Sequence, residues 1–112
     1  MPSDLEMADY AQRLPPIYRA IMAAFPAIDP GRNAGYGLAI QTLAMHFANT
    51  RSGYSFGEVQ EACLQLEHRG FIEIKNGIFA HPTELGEQLI AVVTNRPRAS
   101  GPGVPQLPTP TW

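Results

Sequence analysis

A thiol and three imidazoles, Cys63 with His46, His68 and His81, are the first side chains to weigh for chemistry. A cysteine beside a histidine could form an activated nucleophile, and a Cys/His cluster could hold zinc. The spacing argues otherwise. Cys63 falls in step with Val59 and Leu66, on the stripe of a helix that faces a core, where a small apolar residue is expected. No two histidines stand one helical turn apart; His68 lies off that stripe, and His81 is expected to close a hairpin beside Ile72. The glycine-rich run Gly31-Arg32-Asn33-Ala34-Gly35-Tyr36-Gly37 has no strand before it and no Gly-Lys-Ser/Thr ending, so it reads as a helix connector rather than a phosphate cradle. No carboxylate pair falls in an evident cleft. These residues predict a protein that is not an enzyme and needs neither cofactor nor metal.

The elements that carry them must come from one short chain. Its 112 residues allow one domain. The 45% hydrophobic content is enough for a core, yet no run approaches the ~18 apolar residues of a membrane span. Eight Lys and Arg against ten Asp and Glu leave a net charge of −2, so no overall basicity points to nucleic acid. A lone cysteine and the lack of a signal-peptide pattern favour a reducing, cytoplasmic setting.

Proline divides the chain. Five of the eleven prolines fall in residues 95–112, interleaved with Gly101 and Gly103. That stretch has too little apolar surface to offset its ordering entropy and reads as a disordered tail. Its Pro102, Pro105 and Pro108 match polyproline-ligand spacing, although a solvated terminus is the plainer account. Residues 1–13 form an N-terminal extension, in which Ser3 and Glu6 suggest a capped helix from Asp4 to Gln12. Residues 14–94 form the domain.

Within the domain, Pro15 and Pro16 suit a helix start. Leu14, Ile17, Tyr18, Ile21, Met22 and Phe25 follow helical spacing until Pro26 and Pro30 stop the helix. Ile40, Leu43, Ala44, Phe47 and Ala48 mark a second helix, ending near Asn49. A third, Phe56 to Arg69, opens on a Ser55/Glu58 capping box with a Tyr54/Val59 staple; it ends at Gly70, with Phe71 folding back on Leu66. Asn76-Gly77 between alternating segments predicts a two-residue hairpin turn. That turn pairs Lys75 with Ile78, Ile74 with Phe79 and Ile72 with His81. Ile72, Ile74 and Phe79 would then face inward, with Glu73, Lys75, Ile78 and Ala80 outward. Thr83 caps a last helix with Leu85, Leu89, Val92 and Val93 on its apolar face and Glu84 and Glu87 at its positive end.

The expected class is mainly α with a small antiparallel β-hairpin, in the order of a winged helix-turn-helix. Leu66-Glu67-His68-Arg69-Gly70-Phe71-Ile72-Glu73-Ile74 resembles the end of the recognition helix and the first wing strand of bacterial winged-helix regulators. Pro82-Thr83-Glu84-Leu85-Gly86-Glu87-Gln88-Leu89 resembles the helix that follows the wing in the MarR and PadR types. The resemblance in element order covers residues 14–93, and the local motif covers 66–89.

The resemblance implies a small DNA-binding or transcription-associated regulator. Phe56 to Arg69 would enter the major groove, and Lys75, Asn76 and Gly77 would approach the minor groove. Ser55, Phe56, Gln60, Lys75 and Asn76 are then the candidate double-stranded-DNA contacts, with Arg32 and Arg51 on phosphates. Charge pulls the other way. Glu58, Glu61 and Glu67 against Arg69 leave that helix at −2, whereas phosphate binding relies on Lys and Arg. A homodimer through Asp4–Gln12 or the chain after Leu89, or extra contacts from Arg96 and Arg98, would gather the few basic groups. The alternative is a protein-interaction adaptor using Tyr36, Tyr54 and Ile78. The plainer readings make Tyr54 a staple, put Phe56 in the core and leave Ile78 an ordinary exposed residue.

Overall fold

In the computed structural model, residues 2–31, 33–50 and 52–95 are described. Five helices and three short strands follow one another: α1 (Asp4–Arg13), α2 (Pro16–Ile28), β1 (Leu38–Ala39), α3 (Ile40–Asn49), α4 (Phe56–His68), β2 (Ile72–Lys75), β3 (Phe79–Pro82) and α5 (Glu84–Thr94). The 95–112 tail, apart from Asn95, lies outside the described residues, as do Arg96, Arg98 and the polyproline spacing.

Side-chain capping starts α1, α4 and α5. Ser3 and Ser55 each accept the backbone N–H three residues on, at 3.2 and 3.1 Å, and Glu6 and Glu58 return the bond. At the end of α4, Gly70 takes φ +86°. Phe71 N–H then donates to Leu66 O at 3.0 Å and Gly70 N–H to Glu67 O at 2.9 Å, the two bonds of a Schellman motif. Thr83 caps α5 by accepting Gly86 N–H, and its hydroxyl donates to Gly70 O at 2.6 Å. One residue thus joins the end of α4 to the start of α5.

Pro26 does not stop α2, which continues to Ile28. Only two further residues follow it, and Asp29 N–H still reaches Phe25 O at 3.1 Å, so the cost is confined to the last turn. Ala48 is exposed rather than part of the α3 stripe, which consists of Ile40, Leu43, Ala44 and Phe47.

The three strands form an antiparallel sheet in the order β1-β3-β2. The strand β1 is a finding of the structure, since two residues leave no alternation to read. The turn has its expected geometry: Asn76 and Gly77 both take positive φ, and Ile78 N–H donates to Lys75 O at 3.1 Å. The register is different. Lys75 lies opposite Phe79, Ile74 opposite Ala80, Glu73 opposite His81 and Ile72 opposite Pro82. Ile78 is left as an extra residue whose carbonyl accepts Ile40 N–H, the first of α3, at 2.9 Å. A slip of one residue reverses the faces of β3, while Ile72 and Ile74 of β2 still face inward. Ala80, not Phe79, is buried on the inner side, and Phe79 stands outward. His81 pairs with Glu73 instead of Ile72, and its ring covers Gly37, where a Cβ would lie only 2.6 Å from it.

The core gathers Ile21, Met22 and Phe25 of α2, Leu43 of α3, Val59, Cys63 and Leu66 of α4, Ile72 of β2 and Leu89 of α5. Met7 and Ala11 of α1 are buried with them. Gln88 of α5 is buried as well, and its amide donates to Pro2 O at 2.6 Å and Asp4 Oδ1 at 3.1 Å. Of the expected α5 face, Leu89 is buried while Leu85, Val92 and Val93 are half-buried; Ile90 is buried beside them. Glu87 does sit in the first turn of α5, but it is only 6% exposed and accepts Gly35 N–H at 2.7 Å. It thereby ties the loop before β1 to the body. The result is a mainly α fold with a small antiparallel sheet, winged-helix-like in element and strand order.

Candidate functional site

Helix α4 buries Val59, Ala62, Cys63 and Leu66 against the core, which turns Phe56, Gln60 and Leu64 outward in steps of four residues. Phe56 is 50% exposed and Leu64 is 47% exposed. The expectation that Phe56 packs inside therefore fails: at the first helical position its ring lies one turn away from the buried stripe. Glu58 and Glu61 are exposed on the side of α4 that borders Ile17 and Tyr18 of α2. Glu58 is held by the cap on Ser55, and Gln65 donates to Glu61 at 3.4 Å. Glu67 points to the wing, where its carboxylate accepts Ile74 N–H at 2.7 Å.

The wing presents exposed Lys75 and Asn76 at its turn, with Ile78 at 53% exposure and Phe79 at 43%. Tyr36 is also exposed, in the loop before β1. Tyr54 is half-buried against the core, its ring edge-on to Phe47 at 5.6 Å. The Ser55 hydroxyl oxygen is taken up by Glu58 N–H. Arg32 and Arg51, the two expected phosphate contacts, lie outside the described residues. Leu64 and Phe79 were not among the sequence candidates. Leu64 could have been found from its four-residue step after Gln60, but Phe79 could not without the register.

The basic residue that ends α4 does not join this face. Arg69 Nη1 donates to Tyr10 Oη at 2.9 Å, and the guanidinium sits 5.4 Å above the centre of the Tyr18 ring. The Tyr10 hydrogen bond raises its pKa above the ordinary value. Arg69 is thus directed toward α1 and α2. Among the described residues, the outward surface of α4 is apolar and acidic, and Lys75 is the cation nearest to it along the wing.

Cys63 is completely buried, and burial pushes its thiol up to about 12. A group so poorly ionised near neutral pH is a weak nucleophile. Among the described residues, no group of three or more His, Cys, Asp or Glu side chains is placed to hold a metal ion, and no helix is long and apolar enough to cross a membrane. No protein-family model matches the chain, and no match is found among curated proteins or solved structures.

Proposed function

We propose that this protein is a non-catalytic winged-helix module whose α4 face docks a protein segment bearing apolar side chains flanked by Lys or Arg. The observation that carries this reading is the pairing of an exposed Phe56–Gln60–Leu64 line with Glu58 and Glu61, while Arg69 is held away by Tyr10 and Tyr18. Half-exposed aromatic and aliphatic groups gain by desolvation against a partner. The carboxylates on one side of the same helix favour a basic edge on that partner and oppose a phosphate backbone. Ile78 and Phe79 extend the apolar character onto the wing.

A DNA-reading regulator of the MarR or PadR type is the second reading. It is favoured by the exposed Gln60 on the helix that precedes a wing with Lys75 and Asn76 at its tip. Amide shift mapping on the full chain separates the two. A Leu/Lys amphipathic helical peptide is expected to shift Phe56, Gln60 and Leu64, with loss of the response in Phe56→Ser/Leu64→Ser. A duplex is expected to leave them unmoved. Shifts at Gln60 and Lys75 that appear with duplex at low salt and fade at high salt would replace docking by DNA binding, and silence with both probes would overturn the α4 face as a site.

A further inference from the structure

At the other end of α4 from Phe56, a cleft of about 360 Å³ opens between α1, the end of α4 and the start of α5. Met7, Tyr10, Phe71 and Leu85 give it apolar walls, and Glu6 and Arg69 stand on its border. The rings of Tyr10 and Phe71 lie 5.7 Å apart at 36°, with Phe71 buried behind the exposed Tyr10. The two charged groups face the same space without forming an ion pair with each other or with any other described residue. Glu6 spends one oxygen on Ser3 N–H at 3.3 Å and keeps the other. Arg69 spends one N–H on Tyr10 and is oriented by the Tyr18 ring, which leaves further donors of its planar fork available.

We propose that this cleft binds a free zwitterionic amino acid with an aromatic or large aliphatic side chain. Arg69 receives the carboxylate, Glu6 receives the ammonium, and Tyr10 and Leu85 cover the side chain over a floor of buried Met7 and Phe71. The guanidinium fork matches a carboxylate, and Tyr10 limits the rotamer freedom lost on binding. An amphiphile with a single charge fits less well. A pure anion places its charge near Glu6, and a pure cation places its charge near Arg69, so each meets one repulsive pole. Only a ligand carrying both charges satisfies the two poles together. Exposed ions contribute modestly one at a time, so selectivity rests on the combination and on the apolar wall. The site is separate from the α4 docking face and does not depend on it.

The test is a titration of the full chain, isotopically labelled, with L-phenylalanine, 3-phenylpropanoate and 2-phenylethylamine. Saturating amide shifts at Tyr10, Arg69 and Phe71 are expected with L-phenylalanine, and binding at least about tenfold weaker with the two singly charged analogues. Glu6→Gln retains the capping-box geometry and Arg69→Gln leaves the Gly70 terminus intact. Each is expected to weaken L-phenylalanine about tenfold with helix content unchanged by circular dichroism. No saturation by about 10 mM, equal affinity for the three ligands, or shifts confined to other residues would overturn the proposal. If a variant loses helix content, the ligand series decides alone.

Discussion

The Glu67 carboxylate accepts the backbone N–H of Ile74 at 2.7 Å, so the last turn of α4 is fastened directly to the wing. Because β2 is an edge strand of the sheet, this bond covers a backbone donor at a place where a sheet would otherwise be open to pairing. The half-buried Glu67 is therefore an acid of α4 that serves the fold. Glu67→Ala should destabilise the fold by about 1–2 kcal/mol, and the Ile74 amide should exchange faster than its neighbours. Equal protection of Ile74 in the variant, read by hydrogen exchange, would show that the wing is held without this bond.

Gly86 and Gly57 are both helical glycines with opposite surroundings. A Cβ at Gly86 would lie 1.9 Å from Phe71 O, whereas one at Gly57 would meet nothing within 4 Å. Gly86→Ala must push α5 from the residue that follows α4, at a cost of about 3 kcal/mol. Gly57→Ala should add up to about 1 kcal/mol through helix propensity. Urea denaturation of the two variants beside the parent checks both signs.

The hairpin supplies a third outcome. Asn76 and Gly77 are both left-handed, and Val has no comfortable place there. Gly77→Val should cost about 1–2 kcal/mol or more per strained position, visible as a lower thermal midpoint. Phe79→Ser should be nearly neutral in the same measurement, because Phe79 faces outward. A large loss from Phe79→Ser would instead support the register in which Phe79 is buried.

What could be read from the residues alone was whatever closes within a few positions. The Ser3/Glu6 and Ser55/Glu58 boxes, Gly70 with Phe71 and the Asn76-Gly77 turn all act locally, and all are present. Pro26, Ala48 and Phe56 were misread locally, whereas the other misses involve partners distant in the chain. Ile40 captures the Ile78 carbonyl and shifts the strand pairing; Tyr10 reaches Arg69 across 59 positions and withdraws it from the α4 face. Glu87 sits in the first turn of α5 as the sequence predicts, and its tie to the distant Gly35 N–H was not legible. For the candidate site, the helix and wing were legible from pattern, but the turn of the Arg69 guanidinium toward Tyr10 was not.

Burial of Cys63 gives a pH-dependent outcome with a definite sign. Its thiol is raised from 9.0 to about 12 by desolvation in the core, so the folded state holds this proton more tightly than the unfolded chain does. The associated stability is fully present below about pH 9 and is lost as pH climbs toward 12, at up to about 1.4 kcal/mol per pH unit. Urea unfolding at pH 8 and pH 10 should therefore show a larger drop for the parent than for Cys63→Ala, which lacks the group and has its own baseline lowered by the missing sulfur. At pH 8 a thiol reagent should modify the parent only at the rate at which the chain opens, and stoichiometrically once urea has unfolded it. Rapid modification of the folded protein, or identical pH slopes in parent and variant, would place the thiol in contact with water and remove Cys63 from the core of α4.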